Sequence, residues 1–399
     1  MSTKRQAGAP SREELMGRAW DLLPVLRERA QQAEDLGRLP DETERDFHDT
    51  GLFRAFQPAR IGGSELDFGD LIELGDIVGR ACGSSAWNLT NLSSHHWMLA
   101  MFPKQIQDEV WNKSVDTLIA TSFVFPAGKA RRTEGGFTIS GRWPFCSGID
   151  PCDWSMLGGM VAPEDGDGPP EMRIFMLHRS QYEILDTWHV SGLSGTGSKD
   201  IEVAETFVPE YRTLSVEDIK SGRMPGCEVN TGPLFRIPMF AVFPYVLCGT
   251  ALGIAQGAWD DHVGALRKKA SAFTGAKLGD FQAVQIAVGE AAAEIDAARL
   301  IMRTHTADAM EIARRGELPD LDRKVKYRRD GAWSVKLCVD AVDRINRLAG
   351  GGGLYLRSPI QRAFRDVHAV ASHISFNTDV AGTTFGRVAL GLPLDNPTI

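Results

Sequence analysis

A chain of 399 residues exceeds one ordinary hydrophobic core, and 43% apolar against 24% charged residues excludes a disordered or collagenous protein. With 44 basic and 52 acidic residues the formal charge is −8, which argues against nucleic acid as a partner, so the basic tracts Arg267-Lys268-Lys269 and Arg323–Arg329 read as solvated helix faces. The polar Met1–Ser11 and the lack of an apolar run of ~18 residues predict no membrane span and a cytoplasmic protein, while Cys82, Cys146, Cys152, Cys227, Cys248 and Cys338 carry no metal spacing and read as free thiols.

Ser11-Arg12-Glu13-Glu14 is a capping-box pattern that opens an amphipathic helix on Leu15, Ala19, Leu22, Leu26, Ala30 and Ala33, with a kink or break expected at Pro24. A second helix is predicted over 41–51, ending at Gly51, and further helices from Phe68 to about Trp111. Within them Ser93-Ser94-His95-His96-Trp97 places two histidines on a segment that otherwise reads as buried helix. Near Leu118 the period changes. Glu134-Gly135-Gly136 before Phe137-Thr138-Ile139-Ser140 is a hairpin signal, and Val203, Phe207 and Val208 mark another strand.

Helix returns from Leu234. Phe281, Val284, Val288, Ala291, Ile295, Ala298 and Met302 form a bundle seam, a polar break with Pro319 follows, and a long helix runs through Trp333, Leu337 and Ile345 to Gly350. The expected architecture is α+β and mostly α: a helical domain over 1–115, a β-barrel-like domain over 116–230 and a four-helix bundle over 231–399.

This order, with several motifs, resembles the acyl-CoA dehydrogenase fold over essentially the whole chain. Gly141-Arg142-Trp143-Pro144-Phe145-Cys146-Ser147-Gly148 stands where that family has its Gly-Lys-x-Trp-Ile-Thr-Asn-type strand, Ile119-Ala120-Thr121-Ser122 resembles its pyrimidine-side loop, and Gly192–Asp200 its second β-domain signature. The resemblance implies a flavin against Thr121, Ser122, Trp143, Phe145 and Ser147. Phe145 would cover the ring edge and Ser147 would bond flavin N5. It also places the flavin phosphates near Gly351 and Gly352 or on an adjoining subunit of a homotetramer. Ala270 replaces the arginine that the dehydrogenases carry three residues before their Phe-Gly, here Phe273-Thr274.

The dehydrogenases of this fold follow Arg-Asp with a Tyr-Glu-Gly-Thr whose glutamate takes the substrate α-proton. Here Arg365-Asp366 leads to His373-Ile374, with isoleucine at the glutamate position. His373, and His95 two residues before Trp97, resemble instead the histidines of the two-component flavin monooxygenases on this fold, which include the oxygenases for 4-hydroxyphenylacetate, a phenolic steroid intermediate and dibenzothiophene. The resemblance implies reduced FMN or FAD from a separate NAD(P)H:flavin reductase, O2, and a C4a-hydroperoxyflavin that hydroxylates a small aromatic substrate. His373 would act as general base toward a phenol, and His95 would orient the flavin or the peroxide. Trp97, Phe240, Phe243 and His373 would bound the substrate. Two rivals remain, an acyl-CoA dehydrogenase or oxidase and an N- or S-oxygenating member of the same group. His368, about 140° around a helix from His373, reads as structural.

Overall fold

The computed structural model describes residues 8–163, 167–267, 269–270, 274–394 and 396–399; the readings of residues 1–7, Gly166, Lys268 and Phe273 lie outside them. Ser11 caps α1 (Arg12–Leu36) as a capping box, its hydroxyl accepting from the Glu14 amide while the Glu14 carboxylate takes the Ser11 N–H. Of the kink or break expected at Pro24, the break does not occur: the helix runs through it. The lost backbone bond costs ~3 kcal/mol, whereas Leu15, Ala19, Leu26, Ala30 and Ala33 bury a stripe in which each leucine contributes ~1.5–3 kcal/mol. Asp41–Asp49 forms α2, followed by Gly51 in the left-handed region at φ +77°, and α3 (Asp70–Gly79), α4 (Gly83–Leu99) and α5 (Lys104–Trp111) complete the N-terminal helices.

Among the described residues eight strands follow: β1 (Ile119–Ser122), β2 (Gly128–Thr133), β3 (Gly136–Cys146), β4 (Trp154–Val161), β5 (Glu171–His178), β6 (Glu183–Leu185), β7 (Lys199–Pro209) and β8 (Thr213–Ser215). They form one mixed sheet in the order β6-β7-β3-β2-β4-β5-β8, with β1 beside β4. β1 and β2 run parallel to β4, and the other pairs are antiparallel. The expected hairpin joins β2 to β3: Thr133 faces Gly136, and Gly135 turns at φ +76°.

After α6 (Val216–Lys220) the chain is helical again: α7 (Met239–Val242), α8 (Pro244–Leu266), α9 (Gln282–Arg314), α10 (Leu321–Ala349), α11 (Pro359–Ala371) and α12 (Thr378–Ala389). Met239–Leu266 has the length and composition of a membrane span, with mean hydropathy 1.6, yet 89% of its most apolar window is buried inside the protein. It is a core helix, with α3, α4, α9, α10 and α11 packed against it. α3 crosses it backbone to backbone: a Cβ on Gly253 would stand 2.5 Å from the carbonyl oxygens of Gly75 and Asp76. Only glycine permits that approach, and it fixes the N-terminal helices on the C-terminal bundle. Both histidine-bearing segments, α4 and the end of α11, pack against α8.

Candidate active site

The end of β3 sets the geometry of the site. Strand alternation would put Trp143 and Phe145 on the same face. The ladder with β7 shifts register between Trp143 and Cys146, and Phe145 takes φ +65°, a costly conformation for a bulky residue. The bulge turns the two side chains apart. Trp143 is fully buried and donates its Nε1 hydrogen 2.7 Å to the Gly158 carbonyl, so it is part of the sheet core rather than a flavin contact. Phe145 is 61% exposed and stands edge-on to Trp188.

Behind Phe145, Ser147 is buried in a hydrogen-bonded chain. Its Oγ receives the Trp87 indole N–H at 3.0 Å and lies 2.7 Å from Ser198 Oγ, which lies 2.7 Å from Thr196 Oγ1. The Thr196 hydroxyl donates 2.8 Å to the Leu193 carbonyl. Leu193 sits at φ +52° and its amide donates 2.7 Å to the buried Asp366, which fastens the 192–198 loop to α11. The Ser122 hydroxyl donates 2.7 Å to the Pro144 carbonyl and ties β1 to the bulge.

His95 is fully buried. Its Nδ1 hydrogen goes to the Ile119 carbonyl, which leaves Nε2 to accept from the Thr121 hydroxyl 3.1 Å away. Desolvation lowers its pKa to about 4, so it is neutral at ordinary pH. It therefore aims Thr121 rather than facing a ligand itself. Trp97, about 200° further round α4, points elsewhere: its Nε1 bonds the Leu234 carbonyl and its ring packs on Phe68, so it does not bound the substrate.

His373 ends α11. Its ring lies between Phe243, near-parallel at 27° with centroids 6.4 Å apart, and Trp87, edge-on at 5.9 Å. Phe240 joins Phe243 in an aromatic group with Phe123 and Phe125. Burial, and secondarily the Arg328 charge, lower the His373 pKa to about 4. The Ser375 backbone N–H donates to its Nδ1, so in the neutral ring Nε2 carries the hydrogen. In this tautomer Nε2 is a donor, whereas the general-base role expected from the sequence requires the other tautomer, with Nδ1 carrying the hydrogen. Arg328 donates to the Phe240 carbonyl at 2.9 Å and to Thr398 at 3.0 Å. His368, as expected, is tied elsewhere, to Asp343 at 3.0 Å.

Thr121, Ser122, Phe145, Ser147, Phe240, Phe243, His95 and His373 thus converge. Gly351 and Gly352 do not join them. They follow the C-terminal end of α10, roughly 30 Å of helix from Arg328 at ~1.5 Å per residue, and Gly352 lines a separate cavity of about 260 Å³ with His262, Lys269 and Arg362. Sequence reasoning missed Trp87, Phe123, Ser198 and Arg328. Trp87, Asn91 and His95 recur at four-residue steps on one face of α4, a signal that would have found the first. Phe123 directly follows the β1 motif.

An exposed aromatic ring held in a strained backbone, next to buried hydroxyls with spare hydrogen-bonding capacity, fits a flavin's apolar ring and polar N5 edge. Residues 245–378 match the family model for the acyl-CoA dehydrogenase C-terminal domain, in keeping with a flavin-binding version of that fold. The chain is 34% identical to the flavin-dependent monooxygenase oxygenase subunit HsaA of Rhodococcus jostii (strain RHA1), over 95% of this chain and 98% of that one. It is 36% identical to the FADH(2)-dependent resorcinol hydroxylase oxygenase component of Rhizobium sp. (strain MTP-10005), over 95% and 94%. The crystal structure of 3-HSA hydroxylase from Rhodococcus sp. RHA1 superposes with a TM-score of 0.92 at 34% identity, covering 97% of this chain and 99% of that one. The chain belongs to the flavin-dependent monooxygenase family, as an oxygenase component of the two-component type. It is an enzyme that consumes reduced flavin and O2, and its reduced flavin comes from a separate reductase.

Proposed function

We propose that this oxygenase hydroxylates the ring of a small phenol, held with its hydroxyl on His373 and its ring among Phe240, Phe243 and Phe123. The observation that carries this reading is the His373 imidazole, stacked on Phe243, with no hydrogen-bond partner for its Nε2 among the described residues, one indole ring away from Ser147. A neutral Nε2–H donates to a phenol or phenolate oxygen and fixes which ring carbon faces the flavin. Such a bond is worth ~1–3 kcal/mol in a site that excludes water. The bound reduced flavin supplies two electrons and, with O2, the oxygen atom added to the ring; the second oxygen atom leaves as water.

In this reading Phe145 covers the edge of the flavin ring, Ser147 meets N5, and Thr121, aimed by His95, contacts the polar pyrimidine side. Ser122 holds β1 against the bulge. Either reduced FMN or FAD satisfies these contacts, and the FADH(2)-dependent relative favours FAD as the first choice. We also propose a homotetramer. Phe281, which caps α9, Ile286 near its start, and Leu354, Tyr355 and Leu356 after the glycine run, are exposed apolar residues that a second copy would cover.

The experiment is anaerobic mixing of the protein with reduced FAD and resorcinol, admission of O2, and analysis of products. A ring-hydroxylated product formed in proportion to flavin, and lowered about tenfold in His373→Ala, supports the reading. Oxidation of an acyl-CoA, or oxygen delivered to nitrogen or sulfur with phenols inert, would replace it.

A further inference from the structure

We infer that the buried chain Ser147–Ser198–Thr196 has a fixed direction that makes Ser147 an acceptor toward flavin N5, and that this direction selects reduced over oxidised flavin. The inference rests on the placement of flavin N5 at Ser147 proposed above.

The direction follows from counting protons. Each hydroxyl has one hydrogen and two lone pairs. The Thr196 hydrogen goes to the Leu193 carbonyl, which can only accept. Thr196 Oγ1 therefore receives the hydrogen of Ser198, and Ser198 Oγ receives that of Ser147. The Trp87 indole, which can only donate, occupies one lone pair of Ser147. What remains at Ser147 is one lone pair and no hydrogen. All four side chains are at least nine-tenths buried, so water does not relax this arrangement.

Reduced flavin carries a hydrogen on N5 and oxidised flavin carries only a lone pair there. With the reduced form, the four bonds of the chain are kept and N5–H adds a fifth. With the oxidised form, either the chain keeps its direction and two lone pairs face each other, or every hydroxyl reverses so that Ser147 donates to N5 and Thr196 gives up Leu193. Both alternatives end at four bonds. The difference is one buried hydrogen bond, which corresponds to about a tenfold preference for reduced flavin. For an oxygenase that collects reduced flavin from solution and must release the oxidised form, the chain works as a redox-state filter. Ser198, Thr196 and Trp87 are its positioning residues.

The test is equilibrium titration of the protein with FAD and, anaerobically, with reduced FAD, read by flavin fluorescence and absorbance. The wild type is expected to bind reduced FAD about tenfold tighter, which corresponds to a two-electron midpoint potential about 30 mV higher for bound than for free flavin. Ser198→Ala frees the Ser147 hydrogen for oxidised N5, and the bond count becomes equal for the two forms, so the ratio should fall to near one. Thr196→Val, nearly isosteric, should do the same, whereas Thr196→Ser should keep the wild-type ratio. A ratio unchanged in both Ser198→Ala and Thr196→Val, with flavin still bound, overturns the directional chain. If Ser147→Ala binds both forms as the wild type does, flavin N5 is not at Ser147 and the placement itself fails, a result that the ratio experiments cannot produce.

Discussion

The backbone N–H of Ser375 donates 3.2 Å to Nδ1 of His373, and this one bond makes Nε2 of the ring, which stacks on Phe243, a donor. His373→Ala is expected to leave flavin binding intact and to divert O2 into hydrogen peroxide, lowering product per flavin consumed by about tenfold, the effect of ~1–3 kcal/mol. His373→Gln, whose amide keeps a donor, should recover part of the yield. Product and peroxide assays on the same samples check both.

Because His373 titrates at about 4 rather than near neutrality, its charge does not change between pH 6 and 9. Hydroxylation yield should be flat across that range on account of this residue and fall only toward pH 5 and below. A bell with an inflection near 6.5 that disappears in His373→Gln would show that the ring titrates normally and acts as a base.

Trp143 and Phe145, two residues apart, should respond oppositely to substitution. Trp143→Phe removes the bond to Gly158 from a fully buried side chain and should lower stability by about 1–3 kcal/mol without changing flavin affinity. Phe145→Ala, at a 61% exposed ring, should weaken flavin binding by about tenfold with little effect on the denaturation midpoint. Urea unfolding and flavin titration of both variants give the four values.

Acid should unfold the protein through α4. Burial lowers the pKa of His95 to about 4 and that of His96 to about 3. Below pH 6.5 the unfolded chain protonates both rings while the folded chain does not, so the unfolded state binds more protons and stability declines as pH falls from 6.5 toward about 4. The buried Asp366, raised to about 6, acts in the opposite sense, since the folded state holds its proton first. His96→Gln keeps an acceptor for the Trp111 indole and removes one titrating ring. It should flatten the pH dependence of the urea midpoint over that window.

Much of this protein is legible in its sequence. The capping box at Ser11 and Glu14, the two-residue hairpin before Phe137, and the helical periods through Met302 and Ile345 are local patterns, decided by neighbours within a turn or a strand. Motif likeness likewise brought out Thr121, Ser122, Phe145, Ser147, His95 and His373. The tertiary structure decided what these residues do. A bulge against β7 separates Phe145 from Trp143, a backbone amide beyond the helix end sets the tautomer of His373, and Arg328, forty-five positions before His373, is carried to it by the packing of α10. Hydrogen-bond direction at Ser147 depends on Trp87 from α4 and on Ser198 and Thr196 from the 192–198 loop, brought together only when α11 fastens that loop through Asp366. Side-chain periodicity reports which face of an element is buried. It carries no information on which distant donor or acceptor lies across that face, and the chemistry of this site is set by those partners.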